Sequence, residues 1–347
     1  MVTLQDISER VNLSKATVSL VLNGRQYHRV SEETRLMIEK VADELGYRPN
    51  RTAQYLTRGR TMNVMLLLND LRNPFYATLA SHVAQRLQPH GYYVLPLETL
   101  GSAKREKELL ELATGNVCDG VLCLEMLPDQ KVNIYDDVAK RIPLVIRHPV
   151  LGPARRRLPR GISRVTVDYG KGMETLWEHF RMQGAKRLGL LLHSQHDPNL
   201  SVPDASIMGR HLADSFEKNA SWLERISIAL VDDEYPLRAW YKAARKLLLE
   251  NTDLDSLYVH HFRAMPPVLT AIEECGLVVG KDIRVASTDE NESTQWMRPA
   301  LTVVGESLDV TADHLVKQLL DQLQNKAKPV SCVIDTRLIV RKSTANL

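Results

Sequence analysis

Val2-Thr3-Leu4-Gln5-Asp6-Ile7 and, a short way on, Ser14-Lys15-Ala16-Thr17-Val18-Ser19-Leu20-Val21-Leu22-Asn23 decide how the chain begins. Leu4, Ile7 and Val11 recur at i, i+3 and i+7, which predicts a first helix with one apolar stripe. Asn12 then stands at a turn, where a residue tolerant of positive φ is needed. Ser14 takes the N-cap position, its hydroxyl free to accept from an orphan N–H. On the second helix Val18, Val21 and Leu22 make the buried face, so several of Lys15, Ala16, Thr17, Ser19 and Leu20 point away from it. Many small helical bundles share this patterning. It is also the profile of a helix that lies in the DNA major groove while its back packs on a three-helix core. Ser31 caps a third helix, with Glu32 and Glu33 placed favourably against the dipole. That helix is expected to bury Leu36, Ile38, Val41, Ala42 and Leu45 and to stop at Gly46.

A chain of 347 residues predicts two or three domains with ample core. The net charge of +3 is modest, but residues 1–60 hold 10 Lys/Arg against 7 Asp/Glu and leave 35 of each sign in the remainder. The basic excess therefore sits in the helical module, where it supports salt-dependent DNA binding without identifying it. Cys118, Cys123, Cys275 and Cys332 form no C-x-x-C pair and have no histidine at zinc spacing, as expected in a reduced cytoplasmic setting. There is no signal-peptide pattern and no apolar run near the ~20 residues of a membrane span, so a soluble protein is expected.

From Met62 onward short apolar runs alternate with amphipathic stretches. The runs Val64–Leu68, Tyr92–Pro96, Gly120–Leu124, Leu144–Ile146, Val165–Val167, Leu188–Leu192, Leu257–Val259, Ile283–Ser287 and Leu301–Val304 read as strands. Phe75–Leu87, Lys104–Ala113, Met173–Met182, Leu237–Glu250 and Pro266–Cys275 read as helices. Such alternation implies parallel sheet covered on both faces, and this many strands fit two lobes better than one.

Several ordered matches, Thr3-Leu4-Gln5-Asp6-Ile7, Ser14-x-x-Thr17-Val18-Ser19, Val21-Leu22-Asn23, Val30-Ser31-x-x-Thr34-Arg35 and Leu45-Gly46-Tyr47-x-Pro49-Asn50, resemble the N-terminus of LacI/GalR-family bacterial transcription regulators. A looser match, Leu338-Ile339-x-Arg341-Lys342-Ser343, extends the resemblance to nearly the whole chain. It implies an N-terminal all-α helix-turn-helix domain (1–48), a hinge helix or linker (49–60), and an α/β two-lobed domain similar to periplasmic binding proteins (61–347). The lobes are expected at about 61–160 with 290–320, and about 161–289 with 321–342. By resemblance Lys15, Ala16 and Leu20 face base edges, Lys15 reaching guanine acceptors and the other two thymine methyls; a phosphate-only contact is the alternative for Lys15. Many members carry arginine where Leu20 stands, which implies a different operator. Thr3, Ser14, Thr17, Ser19, Asn23, Thr34 and Asn50 are read as phosphate anchors, with Arg25 and Arg29 touching the backbone. Leu4 and Tyr47 complete the module's contact set. Ala53, Gln54 and Leu56 fall in the hinge, where Leu56 matches a leucine that wedges into the minor groove; an ordinary linker with Leu56 folded back is the alternative.

The resemblance also implies a ligand cleft between the lobes, outside strand carboxyl ends. Asn73-Pro74-Phe75-Tyr76 matches well and would put Phe75 on the cleft wall, unless it is a core or dimer-contact aromatic. Asp289 matches a ligand-facing aspartate, and Glu306 a polar pocket position. His148 stands where aspartate is common, and His260-His261-Phe262-Arg263 replaces a frequent Asn-Asp. The Arg-x-x-Gly-aromatic motif is missing or displaced, leaving Ser206 before Gly209. The implied effector is a sugar or, given His148, His261 and Arg263, an anionic metabolite; the alternative is no small effector and control by a protein partner or abundance. Arg155-Arg156-Arg157-x-x-Arg160 reads as a solvated loop or an anion contact. His193, His196 and Asp197 lack a fourth ligand at convincing spacing, so no metal is expected, and no cofactor. No nucleophile elbow, P-loop or dinucleotide fingerprint is present, so no enzyme is expected. The expected partners are double-stranded operator DNA and a second copy of the chain, as a homodimeric repressor without membrane attachment.

Overall fold

The computed structural model describes residues 2–22, 30–48, 59–125, 132–150, 161–193, 222–231, 237–325 and 327–345. The chain divides into two units, residues 1–62 and 63–347. In the first, α1 (Leu4–Val11), α2 (Lys15–Leu22) and α3 (Glu32–Glu44) enclose Ile7, Val11, Val18, Val21, Ile38 and Ala42. Thr3 and Asp6 form a reciprocal capping box at the start of α1. Asn12 closes that helix in the left-handed region at φ 54°, ψ 42°. Ser14 accepts from the Thr17 amide at 3.1 Å, and Ser31 from the Thr34 amide at 3.2 Å, so both expected caps form. Gly46, at φ 66°, ends α3: its amide donates to the Asp43 carbonyl and that of Tyr47 to the Ala42 carbonyl. Leu36 departs from expectation, being 54% exposed. Two residues are about 200° around a helix, so Leu36 lies opposite the stripe made by Ile38, Ala42 and Leu45.

The second unit runs β1 (Asn63–Leu68), α4 (Pro74–Leu87), β2 (Tyr93–Glu98), α5 (Ala103–Leu112), β3 (Gly120–Cys123), α6 (Val132–Ala139), β4 (Leu144–Val150) and β5 (Ser163–Asp168). It continues through α7 (Gly170–Met182), β6 (Arg187–His193), β7 (Arg225–Val231), α8 (Arg238–Glu250), β8 (Ser256–Val259), α9 (Met265–Glu274) and β9 (Arg284–Thr288). β10 (Thr302–Gly305), α10 (Leu308–Asn325), β11 (Ser331–Asp335) and β12 (Arg337–Ile339) complete it. Two six-stranded sheets result, in the orders β11-β5-β4-β3-β1-β2 and β12-β10-β9-β8-β6-β7. All pairings are parallel except β10 with β12. β1 shows why: five of its six residues are buried, the continuous apolar run of a central strand covered on both faces.

All nine expected runs form strands. The three unexpected ones, β7, β11 and β12, are all sheet edges. An edge strand needs no continuous apolar run: Ile228 of β7 is 55% exposed and Val333 of β11 65%. The lobe boundaries also need correction. β5 pairs with β4 and β11 with β5, which places 163–168 and 331–335 in the first lobe, while β10 pairs with β9 and so places 302–305 in the second. The chain therefore crosses between lobes at Tyr169, at Glu306-Ser307 and at Thr336. α10 packs back on α4 and on strands β3 to β5. Each lobe has its own core, around Met65, Leu110, Val121, Tyr135 and Ile146 in the first, and around Tyr169, Trp177, Phe180, Leu190 and Tyr258 in the second.

Candidate functional site

In the helical module Lys15 and Ala16 are exposed on the first turn of α2, and Thr17, Ser19 and Leu20 are half-buried, while Val18 and Val21 hold the helix to the core. The Ser14 and Thr17 hydroxyls lie 2.8 Å apart, as do those of Ser31 and Thr34. Each pair stands over a helix N-terminus, where amides and hydroxyls converge as they do in phosphate sites. Thr3 is exposed, and its amide and hydroxyl both donate to Asp6, at 2.7 and 3.0 Å. Those two bonds, the amide's first, hold the Asp6 carboxyl below its ordinary pKa. Leu4 and Tyr47 are half-buried against the core, so their contribution to an outward surface is an edge rather than a face. A small, cationic surface framed by hydroxyls can place Lys15 at base edges and anchor phosphates on either side. Asn23, Arg29, Asn50, Ala53, Gln54 and Leu56 lie outside the described residues, as do Arg25, Ser206, His196, Asp197 and the run Arg155–Arg160.

In the second unit, charged and polar groups gather at the carboxyl ends of both sheets. Asp70 follows β1, Tyr169 follows β5, His260 and His261 follow β8, Asp289 follows β9 and Glu306 follows β10. Glu306 is 2% exposed and fully engaged: Arg147, midway along β4, donates to its Oε1 from Nε at 3.0 Å and also from Nη2, and Thr311 donates to its Oε2. Burial opposes the charge of Arg147, but Glu306 outweighs it and holds the guanidinium protonated beyond the ordinary arginine range. The same guanidinium lies 4.8 Å from the centre of the Phe75 ring, which is 4% exposed and set by the Asn73 cap and Pro74 at the start of α4. Tyr169 donates to Asp289 Oδ1 at 3.2 Å, and burial, reinforced by that carboxylate, keeps its phenol neutral. His261 Nδ1 and Asp289 Oδ2 are 3.5 Å apart, and both residues have left-handed backbones, at φ 75° and 71°. Such conformations persist where surrounding structure over-determines them, often at ligand sites. Asp70 is gripped by Arg72 at 2.9 Å, and Arg263 of the second lobe comes within 4.0 Å. Gly305 is needed at the crossover, because a Cβ there would meet the Glu290 amide nitrogen at 2.5 Å.

Residues 3–50 match the family described as bacterial regulatory proteins, lacI family, and residues 177–344 match a periplasmic binding protein-like domain. The chain therefore carries a lacI-family helix-turn-helix domain and a periplasmic binding protein-like domain. Its relatives include catabolite control protein A of Priestia megaterium, 25% identical with 99% of each chain covered. Among solved structures, the lac repressor dimer bound to operator and the anti-inducer ONPF matches at a TM-score of 0.78, with 21% identity over 99% of each chain. A CelR–cellobiose complex matches at 0.66, with 24% identity over 99% of this chain and 100% of that one. These structures share the fold of two α/β lobes behind a helix-turn-helix domain.

Within this two-lobed frame the structure brings together Phe75, Asp289, Glu306 and His261 at the lobe junction. His148 is different. It is buried at 5% exposure, and strand alternation puts it on the side of β4 that carries Leu144 and Ile146, opposite Arg147. The residue sequence reasoning missed is therefore Arg147, one position away. Tyr169, Thr311 and Asp70 were missed as well. A signal was available for Arg147: it interrupts the otherwise apolar Leu144-Val145-Ile146 strand. Its partner Glu306, 159 positions further on, stood at an expected pocket position, but nothing in the sequence marked the pairing.

Proposed function

We propose that this chain is a transcription repressor that binds a pseudo-palindromic operator as a homodimer, with α2 in the major groove and a small ligand between the lobes setting affinity. The observation that carries this reading is the exposed Lys15-Ala16 turn of α2, framed by paired hydroxyls at two helix N-termini and held by a core of its own. The resemblance supports a hinge over residues 49–60 in which Leu56 opens the minor groove. A wedge of this kind costs a few kcal/mol of unstacking and is offset by contacts to the bent duplex. Ligand binding would adjust lobe closure and thereby the hinges, shifting operator affinity only by its differential affinity for the two states. The relatives' ligands, cellobiose in one, make a sugar or a related polar metabolite the class to test first.

The experiment compares the full chain with one lacking residues 1–60 on promoter fragments recovered by genomic footprinting. The truncated chain is expected to keep its α/β circular dichroism and its dimeric sedimentation while losing DNA affinity. Retained affinity would contradict the assignment of the DNA-binding surface. Sedimentation as a monomer at micromolar concentration would contradict dimerisation through the two-lobed unit.

A further inference from the structure

A sugar-binding cleft offers its ligand two things: an aromatic face for the apolar side of the ring, and carboxylate oxygens for the hydroxyls. At the inner end of this junction both are already taken, and by one side chain. The Arg147 guanidinium lies 4.8 Å above the Phe75 ring and donates twice to Glu306 Oε1, while its Nη1 reaches the Leu124 carbonyl at 3.4 Å. Thr311 takes the remaining Glu306 oxygen. Phe75 and Arg147 are each 4% exposed and Glu306 2%. A cation lying over an aromatic ring and hydrogen-bonded to a carboxylate occupies the same two kinds of group that a bound sugar ring would use.

We infer that Arg147 is a built-in occupant of the inner subsite, so that the side chain itself excludes neutral saccharides from the Phe75–Glu306 position. This rests on the reading of the inter-lobe junction as the effector site and deepens it. A neutral sugar entering there must break a buried ion pair and strand both charges, which is costly because neither would have water to replace its partner. At the same junction stand Asp70, Arg72, Arg263, His261 and Asp289. They carry charge of both signs, unlike a plain hydroxyl-binding wall.

The test is a thermal-shift and calorimetric panel of glucose, lactose and cellobiose on the full chain and on two double variants, Arg147→Ala with Glu306→Gln and Arg147→Met with Glu306→Gln. Both doubles remove the ion pair without stranding a buried charge; the alanine form opens the Phe75 face, and the methionine form keeps it covered. The wild-type chain is expected to show no stabilisation that Phe75→Ala removes. The alanine double should bind at least one saccharide at least about tenfold more tightly than the other two proteins do. Saccharide binding by the wild-type chain that is lost in Phe75→Ala overturns the inference, whatever the variants do, and so does a folded alanine double that binds none of the panel. Operator affinity, measured on the alanine double with and without the saccharide it binds, separates the two ideas. Binding without any change in operator affinity leaves the exclusion standing and removes the effector reading.

Discussion

The helix-turn-helix module and the lobe junction handle their polar groups in opposite ways. In the module Lys15 and Ala16 face outward, and the hydroxyls of Ser14, Thr17, Ser31 and Thr34 sit at helix ends where a phosphate could join them. At the junction Arg147, Glu306, Tyr169 and Asp289 are turned toward one another and buried. The module's hydroxyls bond within their own helix ends and stay at the surface. A hinge region between rigid sheets cannot leave charges unpaired in low dielectric, so it pairs them within the chain.

Substitution should expose this contrast as a split between stability and binding. Arg147→Ala strands the Glu306 carboxylate and is expected to lower unfolding free energy by about 3–5 kcal/mol in urea titrations; a loss under about 1 kcal/mol would mean that water reaches the pair. Lys15→Ala should leave stability unchanged and alter discrimination at one operator position by about 1–3 kcal/mol, read from competition binding with single-base variants. A uniform loss across all variants, with a shallower salt dependence, would make Lys15 a phosphate contact. Ser31→Ala removes the cap of α3 and should cost about 1 kcal/mol of module stability, visible as accelerated amide exchange at Thr34. Leu36→Ser is expected to stay within about 0.5 kcal/mol, because Leu36 is 54% exposed. A larger loss in denaturant titration would place Leu36 in a contact the isolated module does not make.

The module was legible because its determinants are local. The apolar spacing of Leu4, Ile7 and Val11, the αL residue Asn12, the caps Ser14 and Ser31 and the terminator Gly46 each act within a turn or two of their own position. Leu36 was misplaced because apolar character was read without its angle around the helix. The central strands were legible through continuous apolar runs, as in β1; β7 and β11 carry shorter runs, Ile228–Val231 and Cys332–Ile334, which the sequence reading passed over, and β12 is only three residues long. The resemblance placed the lobe boundaries at about 61–160 with 290–320 and 161–289 with 321–342, but pairing of β5 with β4 and of β10 with β9 decided otherwise. The junction was half legible: Phe75, Asp289 and Glu306 stood in recognisable motifs, while Arg147 pairs with a carboxylate brought near only by the crossover after β10.

Whether the first unit reads operator DNA is decided by selecting binding sites from a random duplex pool with the full chain and with Lys15→Ala. The wild type should return a two-fold symmetric consensus and the variant a changed preference at one position in each half-site. A pool that returns no consensus, with affinity depending on salt alone, would contradict operator reading by this unit.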